Sequence, residues 1–146
     1  QAAHLLHRMI DTGWVSEDSL PNLLACADAG IYLMEDDLLN RTKCPVKLAD
    51  MLHVGVPVVG ERVGQVAEYI ISGETGLLRP SGDHTGLVTD LVQLLSDGAL
   101  RGRFAAQAQQ HIQQNFSWDT HAATLDGYYR GYCHRDKTDN TAVSAL

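Results

Sequence analysis

Residues 43–60 read KCPVKLADMLHVGVPVVG. Pro45 suits a helix start, because the N–H it lacks would be unpaired at that position anyway. Gly55 suits a helix end, where a left-handed residue stops the spiral. Between them the apolar residues fall at helical spacing. The Val-Pro-Val-Val run at residues 56–59 then reads as a strand buried on both faces, the signature of a parallel sheet. The stretch is thus one loop–helix–strand unit of an α/β sheet, and the loop before the helix needs a purpose.

The same alternation extends outward. Residues 9–15 (MIDTGWV) read as a short strand running into a turn at Gly13, and a helix follows from Leu20 with Ser19 as a plausible N-cap. Residues 30–34 (GIYLM) read as a second buried strand, residues 35–44 as a polar loop, residues 45–54 as a helix and residues 66–71 as a helical turn. SGETG at 72–76 is turn chemistry before a short strand at 77–79. From Asp83 the pattern becomes helical: one amphipathic helix starting near Asp83 or Thr85, a second over 99–115 and a third over 118–132. Leu87, Leu91, Leu94 and Leu95 form a core stripe, and Trp118 reads as core packing. Strands alternating with helices predict an α/β fold: a doubly wound, parallel, Rossmann-like sheet with C-terminal helices over residues 1–135, then a disordered tail over 136–146. In such sheets ligands bind beyond the carboxyl ends of the strands.

With 146 residues, 45% hydrophobic and 20% charged, the chain is long enough for one domain with a core. A net charge of −7 argues against a broad nucleic-acid surface, which needs a basic stripe. It leaves room for a small anion held at a helix N-terminus. No apolar run reaches the roughly 18 residues a membrane span needs, and no signal peptide is visible, so a cytoplasmic location is expected. Three widely spaced cysteines, Cys26, Cys44 and Cys133, make no disulfide framework and no zinc motif. The seven histidines form no catalytic arrangement, and His4 and His7 lack a third ligand. Glu35-Asp36-Asp37 could be read as a metal-binding acidic cluster, but a solvated loop explains it as well; no metal and no cofactor is expected.

The loop before the 45–54 helix is the best anion site. Helix-start N–H groups and the macrodipole carry about half a positive charge, and Arg41, Lys43 and Lys47 cluster around the same start. Asp50 lies one helical turn after Lys47, where a carboxylate can accept two hydrogen bonds, as a ribose diol would offer. Each of these residues is equally at home as a solvated surface side chain.

Four segments in fixed order, TGWVSEDSLPNLLACADAGIYLM, KLADMLHVGVPVVGERVGQVAEYI, SGETGLLRPSGD and NFSWDTHAATLDGYYR, resemble the C-terminal half of a group-4 retaining glycosyltransferase of the GT-B type, which has two Rossmann-like domains. The resemblance implies that this half binds a UDP- or GDP-sugar donor. The diphosphate would rest on the helix start, Asp50 would take the ribose hydroxyls, and the strand end at Trp14 and Val15 would line the nucleobase pocket. The implied nucleotide-sugar-binding set is Trp14, Val15, Arg41, Thr42, Cys44, Val46, Lys47 and Asp50, with residues 60–65 and Glu68 near the same cleft. No catalytic residue is assigned.

The chain departs from the family pattern in three ways. The family's two glutamates, separated by seven residues, are here Thr42 and Asp50. Pro45 stands where a Gly is common and removes one N–H. The first strands, their Arg/Lys pair and the N-terminal acceptor domain are not in this sequence. The chain therefore reads as an incomplete domain of a larger transferase, inactive alone, with any peripheral membrane contact belonging to the missing half. A non-catalytic α/β nucleotide-binding or interaction module of the same fold is the alternative, and an epimerase on the same scaffold a third reading.

Overall fold

The structure, a computed structural model, describes residues 7–139. Three strands, β1 (Gly30–Tyr32), β2 (Val58–Glu61) and β3 (Gly76–Arg79), form one parallel sheet in the order β1-β2-β3. The helices are α1 (Leu20–Ala25), α2 (Leu38–Arg41), α3 (Val46–His53), α4 (Val66–Tyr69), α5 (His84–Ser96), α6 (Gly98–Asn115) and α7 (Trp118–Asp139). Each strand-to-strand connection carries a helix, as a parallel pairing requires.

The central strand decides the layering. All four residues of β2 are buried, and successive side chains point to opposite faces. Val58 joins a cluster with Leu48 and Leu52 of α3, Val66 and Tyr69 of α4, and Ala108 and Ile112 of α6. Val59 joins a second cluster with Leu87 and Leu94 of α5 and Leu100 and Phe104 of α6. Helix α6 serves both: its buried residues Leu100, Phe104, Ala108 and Ile112 recur every fourth position, one stripe along the helix. Helices on both faces make this an α/β layered fold, and its three strands are the sequential side of a doubly wound sheet.

Local chemistry sets the boundaries. Asp83 and Asp97 cap α5 and α6, accepting from the Gly86 and Leu100 N–H groups at 2.9 Å each. Gly55 ends α3 at φ +84°. The buried Asp90 of α5 is satisfied by Arg79, whose Nε lies 2.6 Å away, fastening β3 to α5.

Several expectations shift. Residues 9–15 form no strand: the sheet begins at β1 and Met9, Ile10 and Trp14 are 71%, 89% and 100% exposed, so that segment has no ladder partner. The strand expected at 56–59 runs instead from Val58 to Glu61. Pro57 has no N–H for the ladder and contributes its carbonyl, which accepts from Gly30 at 2.9 Å; at the far end Glu61 pairs with Arg79. The strand expected at 30–34 closes at Tyr32, since β2 offers it three partners. Inside the expected loop 35–44, Asp37 caps the short helix α2 by accepting from Asn40 N–H at 2.7 Å. Leu95 is half exposed, unlike Leu87 and Leu94, and Trp118 is 89% exposed instead of packed in the core. Its neighbour Phe116 packs inward, stacked on Tyr69 with ring centroids 4.2 Å apart. Helix α7 extends through residues 136–139, the first part of the expected tail; residues 140–146 lie outside the described residues, as do all but His7 of the stretch 1–7, QAAHLLH, which reads in the sequence as the end of a helix. No helix among the described residues is long and apolar enough to cross a membrane.

Leu52 is fully buried and Val88 is 56% exposed on α5. Leu52→Ala is expected to lower unfolding free energy by about 2–5 kcal/mol, and Val88→Ala by no more than about 0.5 kcal/mol. Urea melts of the two variants check both values.

Candidate functional site

Glu61 sits at the carboxyl end of the sheet. Its side chain is 4% exposed. Oε2 accepts from the Met34 N–H at 2.8 Å, just beyond β1, and Oε1 accepts from the Gly82 N–H at 2.7 Å, just beyond β3. Ser81 Oγ donates to the Met34 carbonyl at 3.0 Å. One carboxylate and one hydroxyl therefore tie together the chain leaving all three strands. Residues 60–65 read as cleft-lining in the sequence, but nothing there singles out Glu61, because both of its partners are backbone groups far away along the chain.

From Met34 the chain enters the loop that leads to α3. Asp36 pairs with Arg41 through Nε at 2.6 Å and Nη2 at 3.0 Å, so this acid and Asp37 are engaged with α2. Gly64, at φ +51°, lies against the end of α2: a Cβ there would come within 2.8 Å of Arg41 Cα and carbonyl oxygen. The tip of α3 follows. Pro45 is its N-cap and no side chain caps it. Pro45 has no N–H, the Val46 N–H goes to the Cys44 carbonyl at 3.0 Å, and the Leu48 N–H goes to the Pro45 carbonyl. The Lys47 N–H is left without a partner among the described residues. Lys43 and Lys47 are exposed beside it and make no ion pair among the described residues.

The eight residues singled out in the sequence fall into three groups. Cys44, Val46, Lys47 and Asp50 gather at the tip and outer face of α3. Arg41 and Thr42 are at the end of α2, but the Arg41 guanidinium is held by Asp36 and the Thr42 hydroxyl donates to the Leu38 and Leu39 carbonyls at 3.1 and 3.0 Å. Trp14 is fully exposed and Val15 half-buried ahead of α1, and neither lines the hollows beside α3. Glu68 is exposed on α4, and its carbonyl meets His111 Nε2 at 2.9 Å.

Two hollows flank α3. One, of about 570 Å³, lies between α3 and the α6–α7 corner, with Cys44, Val46 and Asp50 on one wall and Phe116, Trp118 and His121 on the other. The second, of about 380 Å³, lies between α3 and α1 and is lined by Glu17, Leu20, Pro21, Asp50 and His53. Asp50 borders both. The Cys44 Sγ lies 3.6 Å from Tyr69 Oη; burial pushes the Tyr69 phenol up to about 12, and the Cys44 contact adds to the rise. The arrangement is suited to an anion at the α3 tip, with a carboxylate placed to receive hydroxyl groups one turn further on.

A short parallel sheet, helices on both faces and a helix tip at its carboxyl edge are the parts of a Rossmann-like domain of the GT-B kind. Residues 1–97 match the family described as "Glycosyl transferases group 1", and the chain belongs to that family. It is 28% identical over 134 residues to N-acetyl-alpha-D-glucosaminyl L-malate synthase of Bacillus anthracis, covering 92% of this chain and 33% of that protein. It is 31% identical over 112 residues to chitobiosyldiphosphodolichol beta-mannosyltransferase of Candida albicans, covering 75% and 24%. The chain thus spans a quarter to a third of the length of these relatives. Among solved structures, sucrose-phosphate synthase from Thermosynechococcus elongatus superimposes with a TM-score of 0.73 at 22% identity, over 90% of this chain and 32% of that one. Anabaena HepE in complex with UDP-glucose superimposes with a TM-score of 0.64 at 20% identity, over 77% and 30%.

The Asp36–Arg41 pair has a direct signature. The hydrogen bond from Arg41 pulls the Asp36 carboxyl below its ordinary value of 3.8, outweighing an opposing desolvation, and the guanidinium charge adds to the drop. A depressed carboxyl pKa means that the contact helps above the ordinary value and is lost as acid protonates Asp36. In a carboxyl-carbon NMR titration Asp36 is expected to titrate below a free aspartate, and Arg41→Gln is expected to return it to the ordinary range.

Proposed function

We propose that this chain is the donor-binding part of a glycosyltransferase that moves a sugar from a UDP- or GDP-sugar to an acceptor, with retention. The observation that carries the reading is the open tip of α3. Among the described residues its Lys47 N–H has no partner and no side chain caps it, with exposed Lys43 and Lys47 beside it and Asp50 one turn on. A diphosphate placed there gains the helix dipole, an N–H donor and two cations. Asp50 receives the ribose hydroxyls, and Cys44 and Val46 border the same face.

In this reading the tip does its main work as the bond from sugar to diphosphate breaks. Charge accumulates on the departing nucleotide, and donors fixed in advance stabilise that charge more than they stabilise the intact donor. The reaction needs no metal when Lys43, Lys47 and the helix tip supply the positive charge. Trp14 would have to turn inward over the base when donor binds, since it is fully exposed here. Arg41 would contribute only by leaving Asp36. Transfer itself requires an acceptor-binding part such as the longer relatives have room for, and the 146 residues alone carry no transfer activity.

A non-catalytic module of the same fold is the second reading. It is favoured by the groups already spent: Pro45 without an N–H, the Val46 N–H taken by Cys44, and the Arg41 guanidinium taken by Asp36.

Calorimetric titration of UDP and of GDP into the full-length protein separates the two. The parent is expected to bind one of them. Asp50→Ala and Lys47→Ala are each expected to weaken that binding by about tenfold to a hundredfold, the range for losing one charged hydrogen bond. Equal affinity in all variants, or no binding by the parent, would favour the module.

A further inference from the structure

We infer that Glu61 is a positioning residue for the donor loop, resting on the donor-binding reading above. A buried carboxylate is costly to hold without a cation, and no Lys, Arg or His lies within ion-pair distance of Glu61 among the described residues. What it holds instead is backbone. The Met34 and Gly82 N–H groups reach it at 2.8 and 2.7 Å, from 27 residues earlier and 21 residues later in the chain. Hydrogen bonds to an ionised acceptor are about twice as strong as neutral ones.

Met34 is the key to what this achieves. Its N–H is fixed by Glu61 and its carbonyl by Ser81 Oγ at 3.0 Å, and its side chain is buried in the first core cluster. Met34 is therefore held at every polar and apolar group it has. It is also the last residue before the Glu35–Cys44 segment that leads to the α3 tip. With this residue locked, the loop leaves the sheet in one direction and delivers Cys44, Val46 and Lys47 to a set place. Precise sites depend on such supporting contacts beneath them. Glu61 touches no part of the proposed ligand and acts through Met34.

The variants Glu61→Gln, Ser81→Ala and Leu87→Ala are made in the full-length protein. Glutamine keeps the shape but can accept from only one of the two N–H groups, presenting an amide N–H to the other. Ser81 is exposed, so Ser81→Ala removes the second tie to Met34 and leaves the core untouched. Leu87 is buried on the opposite face of the sheet and serves as a control that lowers stability without reaching the loop. Amide hydrogen exchange at Met34 and Gly82 reads the clamp, and the dissociation constants for UDP and GDP, measured well below every melting temperature, read its consequence. Glu61→Gln is expected to speed exchange at both amides and weaken nucleotide binding about tenfold. Ser81→Ala is expected to weaken it about threefold, and Leu87→Ala to bind like the parent. The inference is overturned if Ser81→Ala and folded Glu61→Gln bind like the parent, if exchange at the two amides is unchanged, or if Leu87→Ala weakens binding as much. A parent that binds neither nucleotide overturns the donor-binding reading itself, a result distinct from a parent and variants that all bind alike.

Discussion

The carboxyl edge of the sheet depends on one buried carboxylate. Parallel strands end side by side, and each leaves backbone groups that the ladder no longer satisfies. Buried groups of this kind must find partners. At this edge Glu61 supplies both acceptor oxygens, and its two bonds join the exits of β1 and β3 across β2. The loops beyond the strands start from fixed points as a result, and everything proposed for the α3 tip follows from where those loops begin.

The rest of the fold delivers β2, and with it Glu61, to that place. Val58 and Val59 anchor the strand to opposite helical layers, and α6 spans both layers with one stripe of side chains. The Tyr69–Phe116 stack adds a further brace, joining the end of α6 to α4, while His111 reaches the α4 backbone at Glu68. The two core clusters are thus coupled through α6, and the hollow beside α3 is walled by the same corner that closes them.

The apolar patterns were legible. Val58, Val59, Leu48 and Leu52 declare a parallel sheet with a helix over it, because burial on two faces leaves a run of Val and burial on one leaves a helical stripe. The order of segments also pointed to the right family. What was hidden follows from the physics of pairing. A strand needs a neighbour, so residues 9–15 carry strand-like residues without forming a strand. Asp37 caps a helix too short to show a period, so α2 read as loop. Trp118 read as core packing, yet its neighbour Phe116 takes the inward place. At the candidate site, Lys47 and Asp50 were visible as charges at helical spacing. The loss of Arg41 to Asp36, of the Thr42 hydroxyl to α2 and of the Val46 N–H to Cys44 was not, since each is a local bond that only the folded loop creates.

At Gly64 the β2–α4 turn meets the end of α2 backbone to backbone, with no room for even a methyl group between them. Most contacts between loops are cushioned by side chains that can yield in either direction. This one has no cushion, so compression meets hard repulsion at once. The seam between the β2–α4 turn and the end of α2 therefore cannot be drawn tighter than it already is, and a side chain of any size at residue 64 would wedge the two apart.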